Sequence, residues 1–293
     1  MNIRHLSVFL KVCEHMNMTR AAEDLYMTQP SVSQMIAELE QYYNSRLFER
    51  LNRRLYLTEA GKRLQSYARH IINLEAEAKK NLADLNGGGV LRIGASQTVG
   101  AYLLPEMIAR FTDRFPDVEV FSRVENTSVI EQFLLEDALD LALLEGQIHS
   151  ADLVEEPFLD DDLAVACASA HPLVQKAHVT ARDLSEYGFI IREEGSGTRE
   201  IFASQMRALG IQWKETGIYN TTDSIKNAVQ NNLGLGILPI LAMQQEIMDG
   251  SIHLLHVTDL NLRRKLNLVF HRQKYFSNAM NSFVSHLRVT LNM

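Results

Sequence analysis

The stretch from Thr19 to Arg50, TRAAEDLYMTQPSVSQMIAELEQYYNSRLFER, constrains this chain more than any other. Thr19 is a suitable cap for a short helix, and Tyr26 lies where the chain should then turn. A second helix is predicted to open at Thr28 with Pro30 in its first turn, where a missing N–H costs nothing. Apolar residues at helical spacing give this second helix a predicted buried face of Val32, Met35, Ile36 and Leu39.

The opposite face of the second helix is small and hydrogen-bonding. Gln can form paired hydrogen bonds with adenine, Ser can contact either kind of base pair, and a helix amino terminus favours a phosphate. This pattern is typical of a helix-turn-helix that reads a major groove, and the alternative is an amphipathic helix pair inside a larger helical protein. At about 100° per residue, the outward face holds Pro30, Ser33, Gln34, Ala37 and Gln41.

A short hairpin with basic residues is predicted to follow. Asn44 lies where a left-handed helix stop belongs, and residues 55–57 alternate as in a strand. Asn52, Arg53 and Arg54 would occupy the turn, free to meet phosphates or enter a minor groove. We therefore expect a winged helix-turn-helix over residues 1–58, with DNA contacts from Thr28, Gln29, Pro30, Ser31, Ser33, Gln34, Arg50, Arg53 and Arg54.

These residues also resemble a known family. AAEDLYMTQPSVSQMIAELEQYYNSRLFER followed by LTEAGKRL is similar to the amino-terminal signature of LysR-type transcriptional regulators. The chain departs from the family pattern at Gln34, Met35 and Ala37, in a run that often contains arginine, so the base preferences of other members are not carried over. The resemblance implies an effector-controlled transcriptional regulator that binds double-stranded DNA as a homodimer or homotetramer. RNA polymerase is a possible further partner, and no cofactor is expected.

Charge divides unevenly along the 293 residues, whose net charge is −7. Residues 1–86 contain 12 Lys and Arg against 10 Asp and Glu, a net +2, while the remainder contains 17 against 26, a net −9. We expect the acidic part to face away from the duplex.

The sequence contains neither a secretory signal nor a disulfide framework. The apolar run of residues 1–18 is interrupted by Lys11 and Glu14 and has no small-residue cleavage site, so we expect a packed first helix and a cytoplasmic protein without membrane contact. The only cysteines are Cys13 and Cys167, too few for a four-thiolate metal site. Both are expected to be buried small hydrophobic residues.

One long helix is predicted from Thr58 to Asn86, because neither Pro nor Gly occurs after Gly61 in this segment. Its apolar residues recur about every 3.5 positions, the spacing of a helix that packs against a partner helix. Dimerisation is the favoured interpretation, and packing on the chain's own domain is the alternative. Residues 59–89 would form this linker and its glycine hinge, with a seam of Leu64, Tyr67 or Ala68, Ile71, Leu74, Ala78, Leu82 and Leu85.

Strand-like and helix-like segments alternate through residues 90–293, which predicts an α/β domain with two lobes. Each lobe is expected to have a parallel sheet with helices on both faces. Lobe one would span 90–161 plus 266–293, and lobe two 162–265. The resemblance to LysR-type regulators implies an effector domain similar to periplasmic binding proteins.

Polar turns at matching points of the two lobes predict an effector site. In open α/β sheets, ligands bind at the carboxyl ends of strands against helix amino termini, where N–H and hydroxyl donors favour an anion. Each hydroxyl on its own could be an ordinary helix cap, but the turns agree in placing donors at one cleft. The predicted effector-binding residues are Ser96, Gln97, Thr98, Thr127, Ser128, Gly195, Ser196, Gly197, Thr198 and Thr222.

Other constellations do not indicate catalysis or a metal. His253 and His256 would point to opposite faces of a strand, and the acidic run 160–162 is typical of a solvated crossover. The favoured function is a DNA-binding regulator, not an enzyme, controlled by a small molecule that we expect to be an anion. The alternative is an intracellular solute-binding or enzymatic α/β protein with a helical accessory domain.

Overall fold

The structure is a computed structural model that describes residues 1–51, 54–83 and 88–290, and only the backbone of 77 and 80–83. The chain forms two compact units. The first is built from the amino-terminal residues together with Leu135–Asp137 and Gln273–Tyr275, and the second from the rest of the chain after Gly88.

Three helices form the centre of the first unit: α1 (Ile3–His15), α2 (Met18–Asp24) and α3 (Gln29–Tyr42). The predicted cap at Thr19 is wrong, because the Asn17 side-chain oxygen accepts hydrogen bonds from the N–H groups of Thr19 and Arg20 and starts α2 earlier. The predicted start of α3 is confirmed, with Thr28 as its cap and Pro30 in its first turn. The core beneath α3 includes Leu6, Phe9, Val12, Ala21, Val32, Ile36 and Leu39.

The hairpin packs directly after α3. Asn44 has a left-handed backbone (φ 48°), which ends α3 as predicted, and strands β1 (Phe48–Leu51) and β2 (Arg54–Leu57) then pair antiparallel. Arg54 pairs with Leu51 as the first residue of β2, so it belongs to the strand and not to the predicted turn. Asn52 and Arg53 lie outside the described residues. Glu40 joins the hairpin to α3, because its carboxylate accepts the N–H of Leu47 at 2.8 Å.

The long helix α4 (Glu59–Ala83) confirms the predicted helix as far as residue 83. Residues 84–87, which include Leu85 and part of the predicted glycine hinge, lie outside the described residues. Its apolar residues divide between two faces. Leu64 and Ala68 are buried in the first unit's own core, so the seam prediction is wrong for Leu64, and of Tyr67 and Ala68 only Tyr67 is open to a partner. Tyr67, Ile71 and Leu74 are 49%, 39% and 44% exposed, so the core of this chain leaves a separate apolar strip uncovered.

The second unit contains two α/β lobes. The first lobe runs β3 (Val90–Ala95), α5 (Gln97–Tyr102), α6 (Leu104–Arg114), β4 (Glu119–Val124), α7 (Thr127–Leu135) and β5 (Leu141–Glu145). The second runs α8 (Ala181–Leu184), β7 (Gly188–Arg192), α9 (Gly197–Ala208), β8 (Lys214–Tyr219), α10 (Thr222–Gln230), β9 (Leu235–Pro239), α11 (Gln244–Met248) and β10 (Ile252–Leu255). Helix α12 (Asn278–Thr290) packs on the first lobe's core.

Two long strands, β6 (Leu153–Ala168) and β11 (Arg263–His271), connect the lobes. The sequence predicted parallel sheets, but the sheet is mixed, with strand order β4-β3-β5-β11-β6-β9-β7-β8 and β10 beside β6. Strands β3, β4 and β5 are parallel, as are β7, β8 and β9, whereas β6 and β11 are antiparallel to their neighbours. Strand β6 runs in the same direction as β5, and β11 in the same direction as β9, so the two crossing strands meet antiparallel. Periodicity within one segment does not reveal this pairing.

Both cysteines are buried, as predicted. Burial raises the pKa of the Cys13 thiol to about 12 and that of Cys167 to about 11, so both stay protonated and behave as small apolar side chains. Within the part of the chain that the structure describes, no helix is long and apolar enough to cross a membrane.

Candidate functional site

The outward face of α3 is open. Pro30, Gln34, Ala37 and Gln41 are exposed as predicted, and Ser33 is half-buried. The Thr28 hydroxyl accepts the N–H of Ser31 at 3.3 Å, which orders the first turn of the helix. Gln29 is half-buried beside this turn.

Basic residues of the hairpin are also exposed. Arg50 on β1 and Arg54 on β2 both have exposed side chains, while Arg53 lies outside the described residues. Arg50 Nη2 lies 3.9 Å from the sulfur of Met18, a weak contact that leaves the guanidinium charge available to solvent. The face of α3 and these arginines give the first unit a polar surface with positive charge at the hairpin.

A buried glutamate occupies the centre of the second unit. Glu145 is the last residue of β5, and its side chain is only 2% exposed. Its carboxylate accepts the hydroxyl of Ser96 at 2.5 Å and that of Thr98 at 3.1 Å. The Thr127 hydroxyl donates to the Glu145 backbone carbonyl at 3.1 Å. Three hydroxyls that the sequence analysis selected therefore converge on one residue that it did not select.

A buried arginine links the two lobes beside Glu145. Arg264 lies on β11 and donates from Nη2 to Thr98 Oγ1 at 3.3 Å and from Nη1 to Thr198 Oγ1 at 2.9 Å. Its Nε donates to Asp161 Oδ2 at 2.6 Å, and Nη1 lies 3.8 Å from Glu145 Oε1. Thr98 belongs to the first lobe and Thr198 to the second, so one guanidinium holds the two predicted turns together.

We call the buried group around this guanidinium the Arg264 cluster; it consists of Arg264, Asp161, Glu145, Ser96, Thr98 and Thr198. It contains one positive charge and two carboxyl groups. Burial raises the pKa of Asp161, and the adjacent Arg264 guanidinium opposes that shift. The expectation of a solvated crossover at 160–162 is thus wrong for Asp161, because this residue points into the cluster, while Asp160 and Asp162 are exposed.

The backbones of the two lobes touch next to this cluster. A Cβ on Gly146 (φ 92°) would lie 2.7 Å from the Gly197 Cα, and one on Gly197 would lie 2.5 Å from the Glu145 carbonyl oxygen. Only glycine allows this approach. The N–H of Ser128 also donates to the Gly195 carbonyl at 3.2 Å, which joins a second pair of predicted residues across the lobes.

One hydroxyl of the site is unused. The Ser196 Oγ at the start of α9 is buried and has no hydrogen-bond partner among the described residues. A buried donor without a partner carries a desolvation cost, which a ligand oxygen at this position would remove.

A histidine bridges the lobes further out. His149 Nδ1 lies 3.1 Å from Glu131 Oε1 on α7, and Nε2 lies 2.9 Å from Glu200 Oε1 on α9. Hydrogen bonds that the His149 ring donates to Glu200 and Glu131 raise the pKa of His149, because both carboxylates favour the imidazolium.

The structure therefore brings most of the predicted effector residues together. Among the described hydrogen bonds, none joins Gln97 or Thr222 to the Arg264 cluster, although Thr222 is buried at the start of α10. Sequence reasoning missed Glu145, Asp161 and Arg264. A charged residue at the end of the apolar strand LDLALLEG was a signal for Glu145, whereas Arg264 is separated from Thr98 by 166 positions and has no local signal.

Two family models match this chain. "Bacterial regulatory helix-turn-helix protein, lysR family" matches residues 3–62, and "LysR substrate binding domain" matches residues 86–291. The chain belongs to the LysR family. Its sequence resemblance and its predicted fold class, a winged helix-turn-helix with a two-lobed α/β domain, are confirmed, and this LysR-family chain is a transcriptional regulator and not an enzyme.

Related proteins agree with this assignment. The HTH-type transcriptional regulator CysL of Bacillus subtilis is 30% identical over 266 residues, which cover 90% of this chain and 89% of that protein. A probable RuBisCO transcriptional regulator of Trichormus variabilis is 34% identical over 273 residues, covering 90% of this chain and 81% of that protein.

Two structures share the fold at low identity. The regulatory domain of Synechocystis CcmR in complex with 2-PG is 24% identical, with a TM-score of 0.65, and the match covers 69% of this LysR-family chain and 97% of that one. Full-length CbnR complexed with its target DNA is 18% identical, with a TM-score of 0.56, covering 99% and 100%.

Proposed function

We propose that this regulator binds double-stranded DNA through the exposed face of α3 and the β1–β2 hairpin. Support comes from the open, hydrogen-bonding surface around Gln34 and from the exposed guanidinium groups of Arg50 and Arg54. The structure of CbnR with DNA has the same fold. Gln34 and Ser33 would read base edges, and the basic residues would contact phosphates or a minor groove. On this basis we place the protein in the cytoplasm with the DNA, and we name RNA polymerase as a further partner.

The α4 helix is proposed to hold the dimer. Tyr67, Ile71, Leu74 and Ala78 are exposed and recur at intervals of four, three and four residues, the spacing of a seam between two helices. Two linked reading heads would gain affinity from two half-sites, which compensates for the modest net charge of residues 1–86. Our proposed division remains 1–58 for DNA binding, 59–89 for the linker and 90–293 for the effector domain.

A small anionic effector is proposed to bind between the lobes. The observation that carries this proposal is the convergence of Thr98, from one lobe, and Thr198, from the other, on the buried Arg264 guanidinium. Ser96 and Thr98 already hold a carboxylate, that of Glu145, so the position is suited to an oxyanion. The CcmR structure contains 2-PG within the same fold.

The effector must displace the Glu145 carboxylate to reach these donors. One guanidinium facing two carboxyl groups leaves the cluster without spare positive charge, and a third anion would be repelled. A ligand oxyanion that replaces Glu145 at Ser96 and Thr98 would pair with Arg264 and could also satisfy the Ser196 hydroxyl. Binding would then favour one arrangement of the lobes and change DNA affinity by a coupling free energy of about 1–3 kcal/mol.

The test is DNA binding with and without anions. A pool of random duplexes is bound to the full chain alone and beside sulfate, phosphorylated and carboxylate compounds, and the same is done with Thr98→Ala and Thr198→Ala variants. We expect selected duplexes for all proteins and an anion effect for the parent only. Duplex binding that responds to no anion would contradict the effector proposal, and absence of any selected sequence would contradict the DNA-reading proposal.

A further inference from the structure

The exposed face of α3 that we propose reads bases also contains a chain of hydrogen bonds that the base contacts do not require. Gln34 Nε2 donates to Glu38 Oε1 at 3.0 Å, one helical turn away. The other carboxylate oxygen, Glu38 Oε2, lies 2.8 Å from His5 Nε2 on α1. We propose that Glu38 is a positioning residue, which orients the Gln34 amide so that it prefers adenine and disfavours guanine.

The chemistry of the carboxylate determines which way the amide faces. The hydrogen bonds from His5 and Gln34 lower the pKa of Glu38, so its side chain is ionised at neutral pH and can only accept. The atom of the Gln34 amide that faces Glu38 must therefore be the nitrogen. An Asn or Gln amide alone leaves this choice open, but an acceptor-only neighbour decides it.

The orientation leaves Gln34 with two groups for a base: its carbonyl oxygen and its second N–H. In the major groove, adenine offers an N6 donor and an N7 acceptor, which match both groups. Cytosine offers a single matching donor at N4. Guanine offers only acceptors at O6 and N7, so the Gln34 oxygen would face a lone pair instead of a hydrogen.

Glu38 is itself held in place from α1. The His5 side chain is 12% exposed, and its Nδ1 lies 2.7 Å from the Asn2 side-chain oxygen, so its ring is fixed at the start of α1. Glu38 therefore cannot follow Gln34 freely when the amide rotates. Without this acceptor, the Gln34 amide could direct both N–H groups toward O6 and N7 of guanine, and discrimination between adenine and guanine should fall.

Two substitutions at Glu38 separate positioning from charge. Glu38→Ala and Glu38→Gln both remove the negative charge, but only the Gln variant can still present an oxygen to Gln34, with its NH2 turned toward His5 Nε2. Each variant of the full chain, with Gln34→Ala and the parent, is used to select from a library of random DNA duplexes. The selection identifies the base pair at which Gln34→Ala loses its preference. Dissociation constants are then measured for the selected duplex with either A·T or G·C at that base pair. Thermal melting confirms that each variant is folded.

We expect the preference for A·T over G·C at that base pair to fall about fivefold to tenfold in Glu38→Ala. Glu38→Gln should retain most of the preference, although both variants bind all duplexes somewhat more tightly because a negative charge near the phosphates is gone. Equal discrimination in the parent and in Glu38→Ala would overturn the proposal. So would an equal loss in the Ala and Gln variants, because charge alone would then explain it.

The inference depends on the proposed DNA-reading function, and the outcomes of the two can be told apart. If Gln34→Ala keeps every base preference of the parent, base reading by Gln34 is wrong and the positioning role fails with it. If Gln34→Ala loses a preference that Glu38→Ala retains, base reading stands and only the positioning role is wrong.

Discussion

The reading helix and the interlobe cluster present their polar groups in opposite ways. On α3, the groups assigned to DNA lie within residues 28–34 and are exposed or half-buried. They can therefore contact DNA without a buried hydrogen bond being broken. Between the lobes, Thr98 and Thr198 are buried and already engaged by Glu145 and Arg264. The first surface is available as it stands, whereas a ligand proposed at the second would have to replace existing hydrogen bonds.

The largest effect is expected from removing the cation of the cluster. Arg264→Ala would leave Asp161 and Glu145 buried without their partner, and we expect it to lower the free energy of unfolding by about 3–5 kcal/mol. The neighbouring Arg263 is the control, because its side chain is 84% exposed and 3.5 Å from Asp162. Arg263→Ala should change that free energy by less than about 1 kcal/mol. Urea unfolding of both variants measures the two free energies. Equal effects would mean that Arg264 contributes no more to stability than an exposed arginine.

A strong effect is also expected on the exposed strip of α4. Ile71→Glu would bury a charge in the proposed seam and weaken the dimer by at least about a hundredfold, a cost of roughly 3 kcal/mol or more. Ala76→Glu places the same charge on another exposed position of α4 and should leave the dimer unchanged. Sedimentation over a range of concentrations measures both. An Ile71→Glu protein that sediments as the parent does would refute the seam.

These two regions also differ in how far the sequence predicts them. The reading helix was predicted well because its cap, proline and buried face all lie within 12 residues, where helical spacing decides which side chain faces out. The failure nearby was the cap of α2, where Asn17 preceded the predicted Thr19 by two residues. Asn17 and Thr19 are both suitable helix caps, and the pattern of apolar residues does not show which of two such close positions starts the helix.

The interlobe cluster was predicted only in part, for a physical reason. Strand-to-helix turns such as 96–98 and 196–198 carry local signals, so the hydroxyls were found. Their partners come from β5, β6 and β11, and the antiparallel course of β6 and β11 was itself missed. The antiparallel pairing of β6 with β11 places Arg264 opposite Asp161, so these two charged residues could be assigned to the cluster only once that pairing was known.

A smaller effect is expected at His149, on the rim of the same lobes. Its pKa is raised above the ordinary 6.5, so the imidazolium stabilises the folded, bridged state; this contribution is complete below about pH 6.5 and is lost as pH rises through the raised value. The melting temperature of the parent should therefore fall over that range more than that of His149→Gln. Parallel pH profiles of the two proteins would show that the bridge to Glu131 and Glu200 does not stabilise the lobes.

The most direct test of the account is whether a small anion competes with the Glu145 carboxylate. Calorimetric titration of the full chain and of Glu145→Gln with sulfate, at about pH 5 and about pH 7, measures this competition. We predict that Glu145→Gln binds the anion at least about tenfold more tightly, because a like charge is removed from the Arg264 cluster. Parent affinity should also rise as the pH falls toward the raised pKa of Asp161, because burial favours the neutral carboxyl and its protonation releases Arg264 for the ligand. Equal or weaker binding by Glu145→Gln at both pH values would contradict the account.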